Sequence, residues 1–127
     1  MKNLIFLLSI SFMLFSCGGI KNSVEQEVFT DSEKALFNTA VAKYKLTDIG
    51  NDVYITSSVS DTLLVITGVW HATPPNPFYN YKDEYQYKFT KENGLFILRE
   101  YKNNEFFTEV SNSNFTTLLE NNLYIDL

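Results

Sequence analysis

One cysteine, one histidine and no cluster of basic residues leave this 127-residue chain short of the commoner chemistries. The single thiol, Cys17, cannot close an internal disulfide, so the fold must be held by its core. Cys17 and His71 together cannot build a Cys/His zinc site. The carboxylates lack calcium-loop spacing with its glycine, and neither GxxxxGK nor GxGxxG occurs to cradle a phosphate. No metal or other cofactor is expected. Lys and Arg number 10 against 15 Asp and Glu, for a formal net charge of −5. Nucleic acid, which needs a positive footprint, is therefore not an expected partner, and there is no polybasic patch for a membrane surface. The length suits one domain.

The chain also lacks an apolar run long enough to cross a bilayer with comfort. The longest, Leu4–Phe15, is relieved only by Ser9 and Ser11. At ~1.5 Å rise per residue it falls short of a ~30 Å hydrocarbon layer. With Lys2 before it and small residues after it, the run has the pattern of a cleaved secretory leader. Its end, Leu14-Phe15-Ser16-Cys17-Gly18-Gly19, resembles the lipobox of bacterial lipoproteins: an aliphatic residue at −3, a small one at −1, then the cysteine. The resemblance implies diacylglyceryl transfer to the Cys17 thiol, cleavage before it and acylation of the new amine. Each buried CH₂ contributes about 0.8 kcal/mol, so several chains hold a protein to a membrane where one would not. Gly18 after the cysteine, in place of Asp, implies the outer membrane of the cell envelope rather than retention at the inner one, on either its periplasmic or its surface face. The expected division is a signal peptide over 1–16, a lipidated tether over 17–29 and one domain over 30–127.

In that domain, Thr30–Leu46 reads as a helix. Thr30 and Glu33 have capping-box spacing, and Leu36, Phe37, Ala40, Val41 and Tyr44 share one face. Gly50-Asn51-Asp52 stops it. Asp52–Ser60 alternates as a strand. Thr62–Trp70 is a second strand, apolar on both faces, a pattern expected of a central strand covered on both sides; Gly68 within it suggests a bulge. The stretch His71–Pro77 carries Pro74, Pro75 and Pro77 and is expected to be an extended loop. Tyr79–Thr90 has period-two alternation, with Tyr79, Tyr81, Tyr85, Tyr87 and Phe89 on one face. Lys91-Glu92-Asn93-Gly94 turns it into a return strand, Leu95–Lys102. A four-residue loop pairs Phe89 with Phe96 and a three-residue loop pairs it with Ile97; the first buries Phe96 and Leu98 while exposing Arg99, and is preferred. Asn103-Asn104 leads to a fifth strand, Glu105–Ser111. Asn112 or Ser113 then caps a short helix with Phe115, Leu118 and Leu119 on its apolar face. The expected class is α+β: an N-terminal helix on a mainly antiparallel five-stranded sheet, with the C-terminal helix at an edge or on the other face. A helix followed by an antiparallel meander resembles the cystatin-like layout, from which the C-terminal helix departs.

The tyrosine face admits two readings. It is a sheet face buried by the N-terminal helix, with phenol hydroxyls at the rim, or an exposed platform of Tyr79, Tyr81, Tyr85, Tyr87 and Trp70 that binds a protein or a glycan. Tyr87 can lie buried while Tyr79 and Tyr81 stay exposed. Catalysis has less to stand on. A Ser–His pair would have to use His71 beside the proline loop. Asp83 and Glu84 are strand neighbours that point to opposite faces, so they cannot flank one bond. The expected function is a non-catalytic envelope lipoprotein that binds through its aromatic face. The alternatives are a small envelope hydrolase acting on glycan or peptide, and an inhibitor or immunity-type protein.

Overall fold

A computed structural model describes residues 26–47, 53–71 and 82–127. The leader, Cys17 and the tether as far as residue 25 lie outside the described residues, as do the Gly50-Asn51-Asp52 stop, the prolines, Tyr79 and Tyr81. The elements run α1 Asp31–Thr47, β1 Val53–Val59, β2 Leu64–His71, β3 Lys82–Glu92, β4 Leu95–Lys102, β5 Glu105–Asn112 and α2 Phe115–Leu123. The strands form one antiparallel sheet in chain order. The fold is α+β, as the sequence implies. No helix among the described residues is long and apolar enough to cross a membrane.

α1 starts where its cap says. The Thr30 backbone N–H donates to Glu33 Oε1 at 2.9 Å and the Glu33 N–H donates to Thr30 Oγ1 at 3.1 Å. These reciprocal bonds satisfy two donors that a helix start leaves open. Phe37, Ala40 and Val41 are buried, and Leu36 and Tyr44 pack against the same core. Before the helix, Phe29 is buried and its N–H donates to the Asp61 carbonyl at 2.8 Å; the Glu27 N–H donates to the Lys91 carbonyl at 2.7 Å. Residues 26–29, which the sequence assigns to the tether, are thus part of the folded domain and close one end of the sheet.

α2 lies on the same face as α1, which corrects the expectation of an edge or the opposite face. The reason is the narrow apolar stripe of α1. α1 contacts β1 and β2 but not β4 or β5, so a second element must cover Phe96 and Leu98. Phe115 does so: it stacks on Phe96 at 4.7 Å between ring centroids and meets Phe29 at 5.8 Å. Asn114 is the cap, one residue beyond Ser113, its side chain accepting from the Thr117 N–H at 2.9 Å. Between the two helices, Phe89 of the middle strand is fully enclosed, edge-on to Phe37 at 5.7 Å and to Phe115 at 6.0 Å.

β2 is interior but not central, and both helices sit on its Leu64 and Ile66 side; Val65, Thr67 and Val69 on the other side are half-buried. The expected bulge at Gly68 is not there. Gly68 pairs in unbroken register with Ile55 and Tyr85. The β3–β4 hairpin uses neither expected loop. Glu92 pairs with Leu95, so the turn is two residues, and Phe89 faces Leu98. Asn93 and Gly94 take φ of 53° and 77°, the left-handed pair that matches the twist of the strands. The displacement from the preferred register is two residues, which leaves Phe96 and Leu98 on the core face.

The face away from the helices carries an ionic cluster. Arg99 donates from Nη1 to Glu92 at 3.0 Å and to Thr90 at 3.2 Å, and from Nε to Glu109 at 2.8 Å; Thr90 Oγ1 donates to Glu92 at 2.7 Å. The Arg99 bond, against the opposing effect of burial, holds the Glu92 carboxyl below its ordinary value of 4.5. A lowered folded-state pKa stabilises above the ordinary carboxylate range and is lost as pH falls through the folded value. Glu92→Gln is expected to cost ~2–3 kcal/mol at pH 7, since it leaves a half-buried guanidinium short of one partner. It should also weaken the fall in stability between pH 5 and pH 3 seen in urea melts of the parent, about one pH unit either side of that range.

Candidate functional site

Strand alternation and register place Tyr85 and Tyr87 of β3, Glu100 and Lys102 of β4, and Gly68 and Trp70 of β2 on the helix face, towards the end where both helices finish. Tyr44, in the last turns of α1, covers the tyrosines in part. Its hydroxyl is 2.9 Å from that of Tyr85, and its ring lies 6.2 Å from Tyr87 at a steep angle; the rings of Tyr85 and Tyr87 are 5.2 Å apart. Burial pushes the Tyr44 phenol well above the usual tyrosine range, and burial also raises Tyr87. Both stay neutral at any physiological pH, so they act as hydrogen-bonding and stacking groups rather than as acids.

Gly68 makes this packing possible. A β-carbon there would lie 2.1 Å from Tyr85 Cζ and 2.5 Å from its hydroxyl oxygen. The Tyr85 ring therefore lies over the glycine across the strand pair, where the sequence alone suggests a bulge.

The bulge is instead at the far edge. Between β4 and β5 the register shifts at Glu100 and Tyr101: Thr108 faces Glu100 and Phe106 faces Tyr101, leaving Phe107 as the extra residue. Phe107 thereby joins Tyr85, Tyr87, Glu100, Tyr101 and Lys102 in lining an open cleft of about 200 Å³. Phe107 is 71% exposed and its neighbour Phe106 59%. Tyr101 also meets Phe106 edge-on at 5.9 Å and lies beneath Lys88 Nζ at 4.7 Å. A second hollow of about 340 Å³ runs along the β4–β5 hairpin and shares Lys102 and Phe107 with the first. The hairpin itself is fixed by Asn103. Its Oδ1 accepts from the Glu84 N–H at 2.9 Å, its Nδ2 donates to Asp83 at 3.1 Å, and it turns with φ of 51°. Asp83, chemically suggestive among tyrosines, is thus a partner of this turn.

Glu100 is the one carboxylate among the described lining residues. It has no hydrogen-bond or ion-pair partner among the described residues, and burial alone pushes its carboxyl above the ordinary value. No group of three or more His, Cys, Asp or Glu that could hold a metal occurs among the described residues.

Of the residues the sequence singles out, Tyr85 and Tyr87 line the cleft and are half-buried. Trp70 stands on the same face opposite Asp83, half-buried, outside the described lining. Glu100, Tyr101, Lys102 and Phe107 are missed by sequence reasoning. Glu100 had a signal: it continues the Phe96 and Leu98 face with an acid. Phe107 had none, because an inserted residue in an edge strand leaves no mark on local alternation. No protein-family model, no curated protein and no solved structure matches the chain.

Proposed function

We propose that this chain is a non-catalytic, lipid-anchored protein of the bacterial cell envelope that binds a partner through the aromatic cleft at the end of its sheet. One observation carries the binding half of this reading: Phe107 stands exposed in a cleft that it shares with half-buried tyrosines, and Phe106 stands exposed beside it in the adjoining hollow. Large rings concentrated at a concave surface are what interface cores favour, and an ordinary solvated edge strand gains nothing from them.

The placement of the chain's N-terminal side fits an anchored binder. Gln26 bridges Glu92 and the Gly94 N–H donates to Glu27, so the chain arrives beside the β3–β4 turn. The cleft lies at the other end of β3, around Tyr85. Seven residues of strand at ~3.3 Å each separate the two, about 23 Å. A lipid on Cys17 would reach the domain through residues 18–25, at most about 30 Å of extended chain. The cleft would then face away from the membrane.

Two measurements test the reading. Mass spectrometry of the mature polypeptide is expected to show Cys17 as the first residue, carrying diacylglyceryl and an acylated amine; an intact leader or a free thiol would remove the anchor. Affinity capture from the native envelope is expected to recover a defined partner with the parent and with Tyr54→Ala on β1. Phe107→Ala should lose it. Equal recovery with Phe107→Ala would refute binding at the cleft.

A further inference from the structure

We propose that the cleft receives a cationic side chain, lysine or arginine, of a protein partner, held among Tyr85, Tyr87 and Phe107 with its charge against Glu100. Such recognition rests on the partner-binding reading above and names what enters.

Several of the acids have a cation beside them. Glu33 is matched by Lys91, Asp61 by Lys34, and Glu92 and Glu109 by Arg99. Glu100, half-buried among rings, has no such partner among the described residues. A carboxylate withdrawn from water without a partner is costly, and a bound ammonium or guanidinium removes that cost. The ring faces add attraction for the same charge. The protein already uses this contact twice, with Lys88 over Tyr101 at 4.7 Å and Lys91 over Phe96 at 5.4 Å. The C-terminal part of α1 also lies beside the cleft, through Tyr44 against Tyr85 and Tyr87.

Size selects a side chain. About 200 Å³ is below the ~300–1,000 Å³ of pockets that enclose a drug-sized ligand. It admits the end of one long residue, while the exposed Phe107 and its neighbour Phe106 offer a partner's surface further contact. The net charge of −5 favours approach of a basic partner. Lys102 lines the same cleft with the opposite sign and makes no ion pair with Glu100, so it weakens the field for a cation and would strengthen it for an anion.

The test is an NMR titration of the purified protein with the tripeptide acetyl-Gly-Lys-Gly-amide and with its neutral ε-acetyl-lysine counterpart. The lysine peptide is expected to bind saturably, near ~1 mM as befits a single group, with amide shifts centred on Glu100 and Phe107. The neutral peptide should bind at least about tenfold more weakly, and Glu100→Gln should lose about the same factor. Lys102→Met should tighten binding. Equal affinity for the neutral peptide, no saturable binding of the charged one, or full binding by Glu100→Gln would each overturn the proposal. Loss of binding in Lys102→Met would mark an anion site and overturn it too. Misfolding does not confuse the result: Glu100 titrates high because the fold disfavours its ionised form, so Glu100→Gln should melt no lower than the parent at pH 7. In the capture experiment, a partner that needs Phe107 but is indifferent to Glu100→Gln refutes the cation while leaving partner binding intact; a partner indifferent to Phe107→Ala refutes binding at the cleft itself.

Discussion

Phe89→Ala is expected to cost about 3–5 kcal/mol, the range for emptying a fully enclosed aromatic site. The ring is 0% exposed and touches Phe37 of α1 and Phe115 of α2 from the middle strand, flanked by Leu64 and Leu98 on the neighbouring strands. Nothing nearby can collapse into the space without pulling a helix inward. Against a total of ~5–15 kcal/mol for a domain of this size, such a loss leaves little reserve. Calorimetry should show the melting temperature down by more than ~10 °C. Phe106→Ala, on an exposed ring, should stay within about 0.5 kcal/mol of the parent. A loss below about 1 kcal/mol for Phe89→Ala would mean that the two helices do not share one core through this ring.

Gly68→Ala has a different signature, because the collision it makes is local to the cleft. The new methyl would stand 2.1–2.5 Å from three atoms of Tyr85, and the ring has to leave. It is held by the Tyr44 hydroxyl and by Tyr87, so leaving breaks a half-buried hydrogen bond and moves one wall of the cleft. Overpacking of this kind costs ~1–3 kcal/mol. The expected outcome is a moderate fall in stability together with loss of partner capture, while Gly94→Ala, at a turn with open space around it, costs stability through its φ of 77° without touching the cleft. Tyr85→Leu in the Gly68→Ala background should recover part of the stability and none of the binding. Full capture by Gly68→Ala would show that the Tyr85 wall is not part of the binding surface.

How far the sequence can be read depends on what kind of order is asked of it. The α1 stripe and its cap are local, and the structure has them where the spacing puts them. The alternation of Tyr85, Tyr87 and Phe89 is local too, and correctly groups them on one face. What covers that face is not local. The α2 helix joins α1 because Phe96 and Phe115 need one another, a pairing across nineteen positions that no window of alternation contains. The hairpin register escapes for a related reason. A displacement by two residues preserves every face, so burial cannot choose between loops, and only the left-handed preference of Asn93-Gly94 decides. Gly68 shows the reverse error. A glycine in a strand reads as a bulge when its sequence neighbours are considered, and as a seat for an aromatic ring once Tyr85 stands opposite. The Phe107 bulge, which brings an exposed ring to the cleft, arises from pairing between two strands and has no signature in either one.

The central claim is that partners meet the end of the sheet remote from the N-terminal entry. Site-specific photo-crosslinking in the intact envelope tests this most directly, with the reactive residue placed at Phe107 in one protein and at Ser58, on the β1 edge near that entry, in another. A discrete adduct from position 107, lost when Gly68→Ala is added and not formed from position 58, is the predicted result. Adducts of equal yield from both positions, or from position 58 alone, would contradict it.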